Sequence, residues 1–321
     1  MELAELCQPC TRINKESVSK NWCMYCEERL CESCETAHRL NKLTFAHHFI
    51  PKKPTRIITS LKKKRQIKLN EYTNIFGMTI SEKGTLMVSV TEGSSYNYVL
   101  LLIDKEDSIK RCPITNTGIN IANIPGMNRA VLTAYHHNSD SIIQFIDTES
   151  LNIGKQVLIA DDRQYFSITI IKDKIYLGSA EDIKICNTEG KHLETIEIQT
   201  VNGGMFRLQH DRSGNLYYTD DKYMAKINQK GQHFFCYKKN CFANVCGCLL
   251  DHNEYIYVGG KNYTHFIMHQ LSPDGMLVND AFCDEDIKNP TAMCFNNDFT
   301  ELYVANDSTE SIFVFDCKYE I

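Results

Sequence analysis

From residue 72 onward the chain repeats itself, and the length of the repeat restricts the folds open to it. A short run rich in tyrosine and β-branched residues returns six times: TLMVSV (85–90), RAVLTA (129–134), KIYLGS (174–179), NLYYTD (215–220), YIYVGG (255–260) and ELYVAN (301–306). With Met87, Val131, Tyr176, Tyr217, Tyr257 and Tyr303 as equivalent centres, the intervals are 44, 45, 41, 40 and 46 residues. A strand-like segment precedes each centre, as in FGMTI (76–80) and TAMCF (291–295), and another follows, as in YVLLLID (98–104) and SIFVFD (311–316). Turn sequences such as EKG, DRSG and DHNE punctuate them. A unit of three or four short strands cannot bury its own faces and must stack on its neighbours, so six such units predict an all-β, six-bladed β-propeller. Sustained helical periodicity is almost absent, which excludes a helical solenoid.

The last repeat supplies only about three strands before the chain ends, and an open ring would leave unpaired backbone groups at its edge. The segment RQIKLNEYT (65–73) has strand character and is expected to complete the final blade. Trp22 is the only tryptophan and lies outside the repeats, so the tryptophan-marked propeller repeat is excluded; double glycines at 203–204 and 259–260 are too few for kelch. The strand, turn, "Leu-Tyr-Val" and "Ile…Asp…Gly" cadence resembles the NHL repeat.

The first fifty residues are of another kind. Cys7 and Cys10, Cys23 and Cys26, and Cys31 and Cys34 form three CxxC pairs, with His38 and His47 following. Eight such ligands suit two structural Zn²⁺ ions, because each ion takes four Cys or His donors in a closed tetrahedral site. The rival reading, a disulfide cluster, needs an oxidising compartment. MELAELCQPC lacks a basic region, an apolar stretch and a small-residue cleavage site, and the cysteine total of 15 is odd. The ions are expected to be structural rather than catalytic, with no position open to water. About 45 residues bury too little apolar surface to fold alone, so the metal must supply the folding energy. Spacing leaves two pairings open: adjacent pairs sharing one ion, or a cross-brace.

The CQPC (7–10), CMYCEERLCESC (23–34), His38 and FAHHFIP (45–51) sequence resembles the B-box zinc finger of the tripartite-motif proteins. That resemblance implies the cross-brace: Cys7, Cys10, Cys31 and Cys34 on one zinc, and Cys23, Cys26, His38 and His47 on the other, with His48 the alternative last ligand. The expected organisation is then a B-box over 1–50, a basic linker over 51–64 and an NHL-like propeller over 65–321. No RING finger precedes the box in this sequence. PKKPTRIITSLKKKR, which follows it, shows no heptad and carries two prolines, so no dimerising coiled coil is expected.

That segment carries Lys52, Lys53, Arg56, Lys62, Lys63, Lys64 and Arg65 without one acid, reading either as a nuclear-import or nucleic-acid arm or as a solvated spacer. With the chain at −5, residues 1–50 at −1 and 51–65 at +7, residues 66–321 carry −11. An acidic propeller repels phosphate, which weighs against RNA. Asp220, Asp221, Asn306 and Asp307 read as turn residues, and His136, His137, His210 and His252 as surface or strand residues, rather than as a lactonase-type calcium site. Cys246 and Cys248, in NVCGCLL, read as small core residues.

The function expected is therefore a zinc-binding protein-interaction adaptor, non-enzymatic and cytoplasmic, with nuclear import through the basic segment as a second localisation. Its partners are proteins met through the box and the propeller loops. No membrane partner and no small-molecule substrate are expected. The tripartite-motif resemblance implies ubiquitin-linked or innate-defence regulation. The alternatives are an RNA-binding post-transcriptional regulator using the propeller and linker, and a ubiquitin ligase or ligase cofactor acting through the box.

Overall fold

A computed structural model of the chain describes residues 6–13, 15–19, 21–23, 28–40, 49–51, 58–93, 97–114, 117–135, 141–150, 152–159, 163–198, 205–220, 222–238 and 240–319. From residue 58 on, it consists of six four-stranded antiparallel sheets, the blades of a propeller. Their innermost strands are Tyr72–Ile80, Thr117–Ile124, Ser167–Ile171, Arg207–His210, Asn244–Leu250 and Pro290–Phe295, for blades 1 to 6. Each touches the next, and the sixth touches the first, which closes the ring around a central channel. All six repeat centres fall on the second strand of a blade.

Strand order within a blade follows from burial. The second and third strands of blade 1, Leu86–Glu92 and Asn97–Ile103, are buried over nearly their whole length. The outermost strands of blades 3 and 4, His192–Glu197 and His233–Lys238, are mostly exposed. A middle strand is sandwiched between two neighbouring blades, so both of its faces want apolar residues; an outer strand meets water. The core is accordingly six separate clusters, each straddling one seam between blades. Alternation along a strand sends successive side chains to different seams. Leu100 and Leu102 pack toward blade 2, whereas Val99, Leu101 and Ile103 pack toward blade 6. Likewise Tyr217 faces blade 5 and Tyr218 faces blade 3.

The turns use local chemistry repeated from blade to blade. Asn187 Oδ1 accepts from the backbone N–H of Glu189 and Lys191, and Asn228 Oδ1 accepts from Lys230 and Gln232. Three residues on, Gly190 (φ 85°) and Gly231 (φ 77°) take the left-handed conformation that glycine adopts without steric cost. Asp211 and Asp251, at the ends of two inner strands, each accept a hydrogen bond from the tyrosine six residues later, Tyr217 and Tyr257.

Ring closure joins the two ends of the propeller. Ile58–Lys68 pairs antiparallel with Ser311–Tyr319, from Ser311 opposite Lys68 to Tyr319 opposite Ile58. The expected closing segment, 65–73, contributes only 65–68 to this strand, and from Tyr72 the chain is already the inner strand of blade 1. The strand instead begins at Ile58, so the segment read as a linker over 51–64 supplies Ile58–Lys64 to blade 6. The physical reason is that Ile58 and Ile67 are both buried, at 0% and 4% exposure, and anchor the strand at its two ends despite the lysines between. Lys52, Lys53 and Arg56 lie outside the described residues.

Among the N-terminal residues, Asn21–Cys23 pairs with Glu28–Leu30 on one side and Phe49–Pro51 on the other. Two helices, α1 (Gln8–Arg12) and α2 (Glu32–Leu40), each carry part of a CxxC pair.

Candidate metal centre and the propeller channel

Two CxxC pairs adopt the same local geometry. Cys7 immediately precedes α1, and its carbonyl accepts from Thr11 N at 3.0 Å; Cys31 immediately precedes α2, and its carbonyl accepts from Glu35 N at 2.9 Å. In each pair the first cysteine thus sits at the start of a helical turn and the second, Cys10 or Cys34, one turn along. All four Sγ atoms lie within 4.8 Å of one another, with Cys10 to Cys31 at 3.8 Å and Cys10 to Cys34 at 3.5 Å. A tetrahedron with metal–sulfur distances of about 2.3 Å has edges of about 3.8 Å, so the thiols surround a point at which one Zn²⁺ fits. A disulfide needs sulfurs about 2.0 Å apart, and all four cysteines are free.

The electrostatics agree with a cation at that point. Cys7, Cys10 and Cys31 are 0%, 4% and 7% exposed. The Ser33 hydroxyl holds the Cys31 thiol down at about 6, while burial pushes Cys7 and Cys34 up. Four thiols so close cannot all ionise unaided, and a divalent cation removes that conflict by pairing with the thiolates. Soft thiolate donors in a tetrahedral set suit zinc. Among the described residues this is the one gathering of three or more His, Cys, Asp or Glu donors.

For the other expected ligand set, the structure gives backbone placement only. Cys23 ends its strand opposite Phe49, two residues after His47, and His38 lies on α2. Cys26, His47 and His48 fall outside the described residues.

The second concave site is the propeller channel, a cavity of about 210 Å³ lined by the inner strands. Arg207 crosses it. Its guanidinium donates to the carbonyls of Phe206 (2.8 Å), Phe76 (2.6 Å) and Thr291 (2.5 Å), on blades 4, 1 and 6. Asn120 Nδ2 donates to the Phe166 and Phe206 carbonyls, adding blades 2 and 3. Blades 1, 2, 3, 4 and 6 are thereby tied together across the channel, at or next to their inner strands. Enclosure lowers the Arg207 pKa, opposing its charge, and the carbonyl dipoles offset part of that cost. Arg207 was not anticipated as a channel residue; its sequence signal is a charge inside the apolar inner-strand run FRLQH (206–210).

His210 lies on an inner strand, as expected, and is half-buried at the channel wall, whereas His252, expected at the surface or on a strand, is buried in the turn after Leu250. His210 bonds Thr169 Oγ1 at 3.1 Å, and the His252 ring, 2% exposed, meets the Phe299 and Tyr319 rings at tilted angles of 56° and 59°. Asp220 accepts from Lys222 N and Tyr223 N, Asn306 from Asn289 N, and Asp307 from Ile75 N, so these turn residues are used by the backbone. Cys246 and Cys248 are buried in an inner strand, and burial pushes both thiols up to about 12. Asp221, His136 and His137 lie outside the described residues.

The basic segment meets acids of the propeller. Lys63 pairs with Asp286 (2.5 Å), Lys64 with Glu301 (2.7 Å) and Asp316 (2.9 Å), and Arg65 with Asp107 (3.2 Å) and Glu301 (3.3 Å). Pairs this exposed add little stability. They do offset cations that a free arm would present to phosphate.

No family model matches the chain, and no curated protein matches it. Solved structures do. A catalytically inactive variant of virginiamycin B lyase from Staphylococcus aureus, with quinupristin, is 15% identical with a TM-score of 0.58, over 81% of this chain and 100% of that one. A protein of unknown function from Bacteroides thetaiotaomicron is 12% identical with a TM-score of 0.60, over 80% and 73%. A chain of the mitotic checkpoint complex is 10% identical with a TM-score of 0.61, over 83% and 94%. At such identities the likeness is one of fold. No helix among the described residues is long and apolar enough to cross a membrane.

Proposed function

We propose that this chain is a zinc-dependent protein-interaction adaptor of the tripartite-motif type, a two-zinc B-box followed by an NHL-like propeller, acting in ubiquitin-linked or innate-defence regulation. The observation that carries the reading is the Cys7, Cys10, Cys31 and Cys34 cluster at tetrahedral spacing, in a chain whose remainder is a closed propeller. In this reading Cys23, Cys26, His38 and His47 hold the second zinc. The metals do no chemistry. They fold a small module whose exposed face is then rigid enough to dock on a partner, while the propeller offers a larger surface on loops carried by fixed strands. Ion pairing of Lys63, Lys64 and Arg65 with propeller acids favours protein over nucleic acid as the partner.

Elemental analysis of the purified chain tests the metal half of the reading: two zinc ions per chain are expected, and one or none refutes the two-site box. Cys31→Ala and Cys26→Ala should each cost zinc. The partner half is tested by titrating purified RING-bearing tripartite-motif proteins against the chain, with and without chelator. Binding lost on chelation assigns recognition to the box; absence of binding in both conditions overturns the tripartite-motif assignment.

A further inference from the structure

Between blades 4 and 5 lies a group that neither metal binding nor ring closure uses. Cys241, in the connection from the outer strand of blade 4 to the inner strand of blade 5, places Sγ 3.7 Å from Nε2 of His269. The other ring nitrogen, Nδ1, is 2.7 Å from the Tyr237 hydroxyl. His269, on Phe266–Leu271 of blade 5, is 5% exposed and Tyr237 is 8% exposed, whereas Cys241 is exposed to solvent. The Phe242 ring stands 4.7 Å from the imidazole and holds its plane. An exposed thiol, a sheltered imidazole within reach of it and a hydroxyl orienting the far nitrogen are the three parts of an activated nucleophile.

We propose that Cys241 is a covalent addition site for soft electrophiles of the α,β-unsaturated carbonyl class, with His269 as its base and Tyr237 as the positioning residue. With Nδ1–H donating to the Tyr237 oxygen, the Nε2 lone pair faces the sulfur. Nε2 takes the thiol proton, and the sulfur attacks the β-carbon, forming the C–S bond. The π pair moves to the α-carbon, which then takes the proton back from the imidazolium. Thiol and electrophile add without a leaving group and without an oxidant.

The protein carries its own standards. Cys283 and Cys236 are also exposed, and among the described residues neither has a histidine ring within hydrogen-bonding reach. The native chain is treated with N-ethylmaleimide at neutral pH, and labelling is followed peptide by peptide in a mass spectrometer. A free thiol is roughly a few per cent thiolate near neutrality, and rate follows the thiolate, so Cys241 should react at least about tenfold faster than Cys283. In His269→Gln the Cys241 rate should fall to that of Cys283, while Cys283 itself is unchanged; Tyr237→Phe should lower the Cys241 rate alone. A variant that simply unfolds is recognised because buried Cys112 and Cys186 become labelled as well. Equal rates for Cys241 and Cys283 in the native chain, or a Cys241 rate untouched by His269→Gln in a folded protein, overturns the proposal.

Discussion

His210 provides a quantitative test of how the propeller core is solvated. Burial lowers its pKa from 6.5 to about 4, only slightly opposed by the Asp211 charge, so the folded protein keeps this imidazole neutral. Below pH 6.5 the unfolded chain binds a proton that the folded chain refuses. The contribution of this group is therefore fully present above pH 6.5 and is lost as pH falls toward 4. That difference corresponds to about 3 kcal/mol, of which about 2 kcal/mol should be gone between pH 7 and pH 4.5. Asp251 works the other way in nearly the same window. Burial raises it from 3.8 to about 6, so the folded state holds the proton more tightly and gains stability as pH falls from 6. The two slopes offset each other, and the native chain hides both. His210→Gln removes one. The assay is urea denaturation followed by far-ultraviolet circular dichroism at pH 7 and pH 4.5, in both proteins. The stability of His210→Gln relative to the native chain should rise by about 2 kcal/mol on acidification. Taking the difference cancels every carboxylate and metal ligand that titrates alike in both. A relative stability that stays flat would refute the claim that His210 is held neutral by burial.

Three further outcomes follow from packing, closure and metal. Gly260→Ala would place a methyl 2.2 Å from the Asn244 carbonyl oxygen, a backbone atom with nowhere to go; a loss of about 2 kcal/mol or more is expected from urea titration. Deleting residues 58–68 should lower the melting temperature of the entire propeller in one cooperative transition, since that strand covers two seam clusters through Ile58 and Ile67; persistence of an unshifted main transition would argue against closure by this strand. If the N-terminal cysteines hold zinc as proposed, chelation should unfold that module, since a structural zinc supplies on the order of 10 kcal/mol of folding energy per site. Trp22 fluorescence should change while the β-sheet dichroism of the propeller stays, because the sole tryptophan lies within the module.

The residues themselves determined whatever depends on local spacing. The six centres from Met87 to Tyr303 all lie on second strands, because alternation and Asx turns act within a few residues and repeat with the blade. The gathering of the Cys7–Cys10 and Cys31–Cys34 pairs was legible for the same reason: two residues between cysteines fit a single helical turn, which turns both thiols of a pair the same way. An edge argument also indicated that the N-terminal side closes the ring. The position of the strand was not legible, because burial of Ile58 against the blade 5–blade 6 seam outweighs the charge of the lysines that follow, and that seam exists only once the ring is formed. Tertiary structure alone set Arg207 across carbonyls of blades 1, 4 and 6, and put Cys241 beside His269 and Tyr237. Those groups are brought together by radial packing and by connections between blades. The apolar patterns that drive that packing say which faces are buried, and do not say which polar side chains the burial will leave in contact.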